Sequence, residues 1–348
     1  MTSTPTQESS SISLNLQFSP PVSFPKVYPS LGLSAGFRLY PQDFIVNEEL
    51  GFEPTGSGEH VLIHIEKIGQ NTHWVAEQLA MHCGISNSAV GYCGRKDRHA
   101  VTRQWFSLYM PKQESIDWDA FALEGVTILA IHRHVKKLRL GSHKANHFIL
   151  RLRELRQEGR LITNEQQHDI AGIETNLADR LGKGVPNYFG EQRFGRGCSN
   201  LTAASDWFVN GRKPHPKRRS MVMSAARAYL FNLVLASRVT QENWQSPVSG
   251  DVVRDDMPTG PLWGRGRSPA SELSNIIEQE ALAQFGSWCH GLEYCGLQQE
   301  RRALVLLPKN VDIQCLDQST HYDLQLSFSL GTGTFATSVL AEILELIP

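Results

Sequence analysis

The 348-residue sequence predicts an α+β protein whose sheet is interrupted by a mainly helical insertion. Three observations carry this expectation. Alternation of apolar and polar residues, the period of a half-buried strand, dominates up to about residue 155. From Thr163 the apolar spacing becomes helical, and alternation returns only after Arg302.

Residues 43–50 alternate Phe44, Val46 and Glu48, and residues 60–67 alternate Val61, Ile63 and Ile65; both read as strands across a Gly/Pro loop. Asn71 or Thr72 can cap a helix that carries Val75 and Leu79 and stops before Gly84. Further strands are expected at 104–110, 126–132 and 148–155. Helices are expected at 164–181, 199–209, 220–240 and 269–285, the last with Ser268 as cap and Pro269 at its first position. Strands return at 302–307 and 322–330, where Leu324, Leu326, Phe328 and Leu330 alternate with polar residues. The Gly331–Gly333 turn then leads into a final helix bearing Val339, Leu340, Ile343 and Leu344. A sheet that resumes after roughly 150 mostly helical residues implies an inserted domain. The expected division is a flexible tail at 1–30, a core of 31–160 with 312–348, and an insertion at 161–311.

Composition is that of a globular chain, with 41% hydrophobic and 20% charged residues. The first thirty residues are rich in Ser, Thr and Pro and lack the basic start and apolar centre of a signal peptide. No uninterrupted apolar stretch reaches the roughly 18 residues that span a bilayer, so no membrane role is expected. Six cysteines lie apart without CxxC spacing, the pattern of reduced thiols in a cytoplasmic protein. Cys289, His290 and Cys295 are too irregularly spaced for zinc, and neither metal nor cofactor is expected. No GxxxxGK[ST] occurs, which argues against nucleotide hydrolysis. Net charge is only −1, yet positive charge is concentrated. Residues 131–144 hold five Lys/Arg and three His with no acid, and Gly211 to Arg219 holds Arg212, Lys213, Lys217, Arg218 and Arg219, again with none. Two such patches on a near-neutral chain suit phosphates, although either alone could be a solvated loop.

The most informative stretch is Gly91 to Trp105, GYCGRKDRHAVTRQW. It places one carboxylate, Asp97, at a tight turn among Arg95, Lys96 and Arg98. Such a turn is by default solvated surface. Gly94, Lys96, Asp97, Ala100, Val101, Thr102 and Gln104 together, however, resemble the signature of the TruD family of tRNA pseudouridine synthases. The likeness continues, in the family's order, through 43–48, Ala145 to Phe148, 185–195, 224–232 and 333–338, almost the whole chain.

That resemblance implies a mixed, largely antiparallel pseudouridine-synthase sheet with the family's inserted domain, and RNA held in the cleft between them. It implies tRNA as partner, uridine 13 as target, an isomerisation to pseudouridine, and Asp97 as the catalytic carboxylate. It also implies Phe44 and Phe335 as aromatic walls and Asn146 as a substrate contact, although pattern alone reads Phe44 and Phe335 equally well as core and Asn146 as a turn residue. Ala145 departs from the glycine usual there, which would strain a left-handed or closely approached position. Lys96, Lys136, Lys137, Arg139 and Arg193 are candidates to grip the RNA, and a monomer is expected. The isomerisation breaks C1′–N1, turns the base and rejoins it through C5, so no atom leaves. One carboxylate can suffice where glycosidases use two. A non-catalytic tRNA-binding or RNA-chaperone protein is the alternative, and a nucleoside hydrolase is disfavoured by the lack of a second acid at a comparable turn.

Overall fold

The structure, a computed structural model, describes residues 22–112, 116–164 and 169–347. The first region contributes β1 (Leu33–Phe37), β2 (Phe44–Glu49), β3 (His60–Ile68), α1 (Thr72–His82), β4 (Val90–Tyr92), β5 (Val101–Tyr109), β6 (Val126–His134), β7 (Ala145–Gln157) and β8 (Arg160–Leu161). Then follow α2 (Ile170–Lys183), β9 (Val185–Pro186), α3 (Ser199–Phe208), α4 (Pro216–Thr240), β10 (Val253–Arg254), β11 (Met257–Leu262), α5 (Glu272–Leu282), α6 (Gly286–Glu293), β12 (Glu300–Ala303) and β13 (Val305–Leu306). Finally, β14 (Lys309–Asp317), β15 (Tyr322–Gly331), α7 (Ala336–Ile343) and β16 (Glu345–Ile347) return to the first region.

The main sheet runs β14-β15-β7-β2-β5-β3-β6, with β1 joining β7 to β16. Within it β2–β5 and β1–β16 are parallel. The β15–β7, β2–β7 and β3–β5 ladders are antiparallel, so the sheet is mixed and largely antiparallel as expected. Its centre is β2 and β7, which bring Phe44 opposite Leu150 and Glu48 opposite Asn146.

Several expected boundaries move, each for a local reason. β5 begins at Val101 and β7 at Ala145, because both run out of the turns that carry the candidate residues. α4 begins earlier than 220: Pro216 occupies its first turn and the His215 side chain accepts from Lys217 N. The helix expected over 269–285 starts instead at Glu272 and continues as separate pieces through 293. Ser268 Oγ contacts Glu278 and accepts from Ala270 N, while Ser271 N donates to Gly250 O, so backbone up to 271 is held outside a helix. The strand expected at 302–307 is split at Leu304, whose N–H donates to Pro258 O.

Two cores result. One lies under the main sheet and includes Phe44, Phe148, Leu326, Phe328 and Leu340. It also takes in Leu177 and Leu181, so α2 packs with the sheet rather than with the helices that follow. The second surrounds α4, with Tyr229, Phe231, Trp244 and Trp288. By length and composition α4 could cross a membrane, but 56% of its apolar window is buried inside the protein, as in a core helix. Of the expected tail, residues 1–21 lie outside the described residues. Residues 22–30 are packed down: Phe24 stacks on Tyr188 at 5.1 Å, Val27 N donates to Glu342, and Tyr28 Oη donates to Gly184 O at 2.7 Å.

Candidate active site

The turn between β4 and β5 is framed by polar groups that leave it little freedom. Thr72 Oγ1 accepts from Lys96 N at 3.0 Å and donates to the buried Gln104, whose amide reaches back to Gly94 O at 3.3 Å. The fully buried Lys67 donates to the backbone oxygens of Gln70 and Asp97, each at 2.9 Å. Burial pulls its pKa down to about 8, opposed by the nearby Asp97 charge. Arg98 Nε donates to Gly69 O at 2.8 Å, so this cation ties the turn down from outside. The motif residues Thr102 and Ala100 are fully buried beneath.

The cation that meets Asp97 is none of its sequence neighbours. Arg38, which ends the β1 segment, places Nη2 2.9 Å from Asp97 Oδ2, with the carboxylate side chain 54% exposed and the guanidinium 24%. Arg38 has φ +60°, a left-handed conformation that costs a non-glycine residue roughly 1–3 kcal/mol and persists only where its surroundings enforce it. Here Asp43, fully buried, accepts from Tyr40 N and holds Arg153 through bonds at 2.9, 3.1 and 2.7 Å. Arg38 also lies over the Phe44 ring at 3.8 Å. Its signal was present in the sequence as the only Lys or Arg between Lys26 and Lys67.

A second polar chain lies behind the turn. Lys96, expected to face RNA, points inward with only 6% of its side chain exposed. Its ammonium meets Glu48 at 2.5 Å and Asn146 Oδ1 at 2.8 Å. Because lysine only donates, this contact fixes the Asn146 amide with its oxygen inward. Asn146 Nδ2 lies 3.1 Å from His143 Nε2, which leaves one amide hydrogen for a ligand. Burial pushes the His143 pKa below its ordinary value, so a neutral imidazole accepts there. Ala145 sits in β7 opposite Glu49 and Gly331 and is absent from the left-handed residues, so the departure from glycine introduces no strain.

Asp97, Lys96, Phe44, Asn146 and Phe335 line one cavity of about 290 Å³, together with Arg38 and, from the inserted region, Gln192. Phe44 is both wall and core: only 3% exposed, it packs edge-on against Phe37 and Phe148. Phe335, which caps α7, is 37% exposed and is the freer ring. Behind it Arg193 lies 5.8 Å from the Phe335 centroid, and Arg302 lies 4.1 Å from that of Phe189. Burial, with Arg193 adding to it, pulls the Arg302 pKa down to about 10. Arg193 has no acidic partner among the described residues. It lines a neighbouring cavity of about 310 Å³ with Phe335 and Met221. Sequence reading missed Arg302, whose neighbours on β12 suggest only a strand.

Lys136, Lys137 and Arg139 do not line the cavity. They are exposed on the loop between β6 and β7, whose Gly141 N donates to Cys93 O beside the Asp97 turn. Lys137 is already engaged with Ser88 O. Two further motif blocks are structural. Asn232 clamps Phe189 through both its N and O at 2.9 Å, and Ser338 Oγ donates to Tyr188 O at 2.8 Å. These bonds fasten the inserted region to the wall carrying Phe335. Among the described residues, Glu48, Cys93 and His143 form a cluster close enough for a metal ion. Its donors are a poor match: Glu48 is neutralised by Lys96, and burial pushes the Cys93 thiol up to about 11.

Known proteins resemble the chain in sequence and in fold. Residues 27–213 match the family model for tRNA pseudouridine synthase D (TruD). The chain is 47% identical over 328 residues to the tRNA pseudouridine synthase D of Cellvibrio japonicus, covering 93% of each. It is 41% identical to that of Aeromonas hydrophila, covering 87% of this chain and 88% of the relative. A crystal structure from Methanosarcina mazei, described as a candidate tRNA pseudouridine synthase D, shares the fold with a TM-score of 0.67 at 18% identity, covering 92% of this chain and 95% of its own. The chain therefore belongs to the tRNA pseudouridine synthase D (TruD) family.

Proposed function

We propose that this protein isomerises uridine to pseudouridine in transfer RNA, at uridine 13, with Asp97 as the catalytic carboxylate acting on an everted base. The observation that carries the reading is the convergence of Asp97, Asn146, Phe44 and Phe335, from four separate segments, on one cavity floored by the sheet. Arg38 orients the carboxylate while its exposed half stays open to a ligand. Extracting a base costs a few kcal/mol of lost stacking. The Phe335 ring can return about 1–3 kcal/mol of that by stacking. The remaining Asn146 amide hydrogen suits a uracil carbonyl or a ribose hydroxyl. Asp97 supplies the anionic group while C1′–N1 breaks and C1′–C5 forms, C5 then losing its proton and N1 gaining one so that the formula is unchanged, and the enclosing walls keep the free uracil from leaving before it turns. In this reading Arg193, beside Phe335, and Lys136 and Arg139, on the loop between β6 and β7, contact phosphates.

The test uses an unmodified tRNA transcript and mass-spectrometric mapping of pseudouridine. Asp97→Asn is expected to lower the rate at least about 10³-fold while leaving the dissociation constant for tRNA within about twofold. Product at another position would overturn the uridine 13 assignment. Full activity in Asp97→Asn would overturn the role of the carboxylate, and absence of product from the parent protein would favour a binding function without chemistry.

A further inference from the structure

A second cavity, of about 540 Å³, lies wholly within the inserted region, between the end of α3, the first turns of α4 and α6. That volume falls in the range of about 300–1,000 Å³ typical of sites for small organic groups. Its walls combine two kinds of surface. Trp207 and Phe208 stack on each other at 4.9 Å, and Tyr294, 79% exposed, stands opposite beside His290 at 4.7 Å. Lys213 and Arg219 supply positive charge, and no acidic side chain lines the cavity among the described residues. Both cations lie close enough to Cys295 to oppose the upward push that burial gives its thiol. Gly291 is required here, because a Cβ would meet the Phe208 ring at 2.2 Å.

Its place in the fold ties this cavity to the site already described. Arg219 and Met223, one turn apart on α4, line it, whereas Met221, on the opposite side of the same turns, lines the cavity that holds Arg193 and Phe335. One helix, about 10–12 Å thick, separates the two. That is roughly the rise of three stacked nucleotides.

We propose that this pocket receives an unpaired nucleotide of the same RNA, its base against Tyr294 and Trp207 and its phosphate on Lys213 and Arg219. An exposed tyrosine and half-buried Trp207 beside cations without an acidic partner among the described residues match the composition of a single-stranded nucleic-acid site. The pocket would explain why the run from Arg212 to Arg219 carries its charge outside the catalytic cavity. The inference rests on RNA being the substrate, and its test is separate from the chemistry. Binding of an unmodified tRNA transcript is measured in the Asp97→Asn background across a salt series. Tyr294→Ala is expected to weaken binding about fivefold or more, and Tyr294→Phe, which keeps the ring, to restore it. Lys213→Gln is expected to lower the slope of log affinity against log salt by about one. An unchanged dissociation constant in Tyr294→Ala, or an unchanged slope in Lys213→Gln, would overturn the proposal. Failure of the isomerase reading would appear elsewhere, as absence of pseudouridine from the parent enzyme.

Discussion

The two walls of the cavity that holds Asp97 are built by different means. On the Asp97 side most charged groups are paired within the sheet region: Asp97 with Arg38, Glu48 with Lys96, Asp43 with Arg153, and Lys67 with backbone oxygens, leaving the exposed Arg95 as the cavity-lining cation without an acidic partner there among the described residues. On the Phe335 side Arg193 and Arg302 lie over aromatic rings, and burial depresses the pKa of both. Apart from Arg95, the first wall holds its charges in pairs. The second retains positive charge that an RNA phosphate can neutralise. In the proposed reaction, preorganisation of the carboxylate and attraction of the RNA would thus fall to different parts of the chain, one to the sheet and the other to its junction with the helical region.

Breaking the paired wall should have the largest effect. Lys96→Met leaves the Glu48 carboxylate buried without a counter-charge and frees the Asn146 amide. A loss of about 3–5 kcal/mol in urea-unfolding stability is expected. A variant that unfolds with the parent would show that the pair contributes little. Next comes Arg38→Ala, which removes the charge-assisted bond to Asp97. Single-turnover pseudouridine formation should fall about 10–100-fold with tRNA affinity little changed, and Arg38→Lys should recover part of the rate.

The wall whose arginines lack acidic partners among the described residues should respond in binding instead. Arg193→Ala is expected to raise the dissociation constant for tRNA about five- to tenfold, reduce the salt slope by about one and leave the saturating rate near that of the parent. A fall in the saturating rate alone would mean that Arg193 acts on the chemistry and that the two walls are not divided in this way. The smallest effect concerns Lys67. Its folded-state pKa, about 8, lies below the ordinary 10.5. The charged form therefore costs stability below about pH 8, and that cost is relieved as pH rises through the folded pKa toward 10.5. The same deprotonation weakens the hold on the Asp97 turn, so activity should decline modestly above about pH 8 without a parallel loss of stability from this group. A Lys67→Met variant that keeps the same alkaline decline would assign it to another residue.

The path from sequence to site was uneven, for reasons particular residues make plain. Local chemistry specified the turn that carries Asp97 but read it as solvated surface; it was the family signature around it, Gly94 to Gln104, that singled the carboxylate out. Phe44 and the strands around it were readable because a period of two depends only on neighbours. Lys96, expected to grip RNA, turns inward while still lining the cavity, which was not legible because its partners lie 48 and 50 residues away. Arg38 was missed for the same reason, with Asp97 59 residues further on. The single helix expected over 269–285 was broken by pairing with residues 249–250.

Local periodicity, turn chemistry and the ordered motif blocks therefore determined the fold class, the family likeness and the acidic residue at the centre. These depend on backbone geometry over short distances. Only the tertiary structure decided which cation meets that acid, which lysine turns inward and which arginines stay unopposed. Ion pairs and desolvation act through space, and their partners come from strands and helices that the linear order keeps far apart.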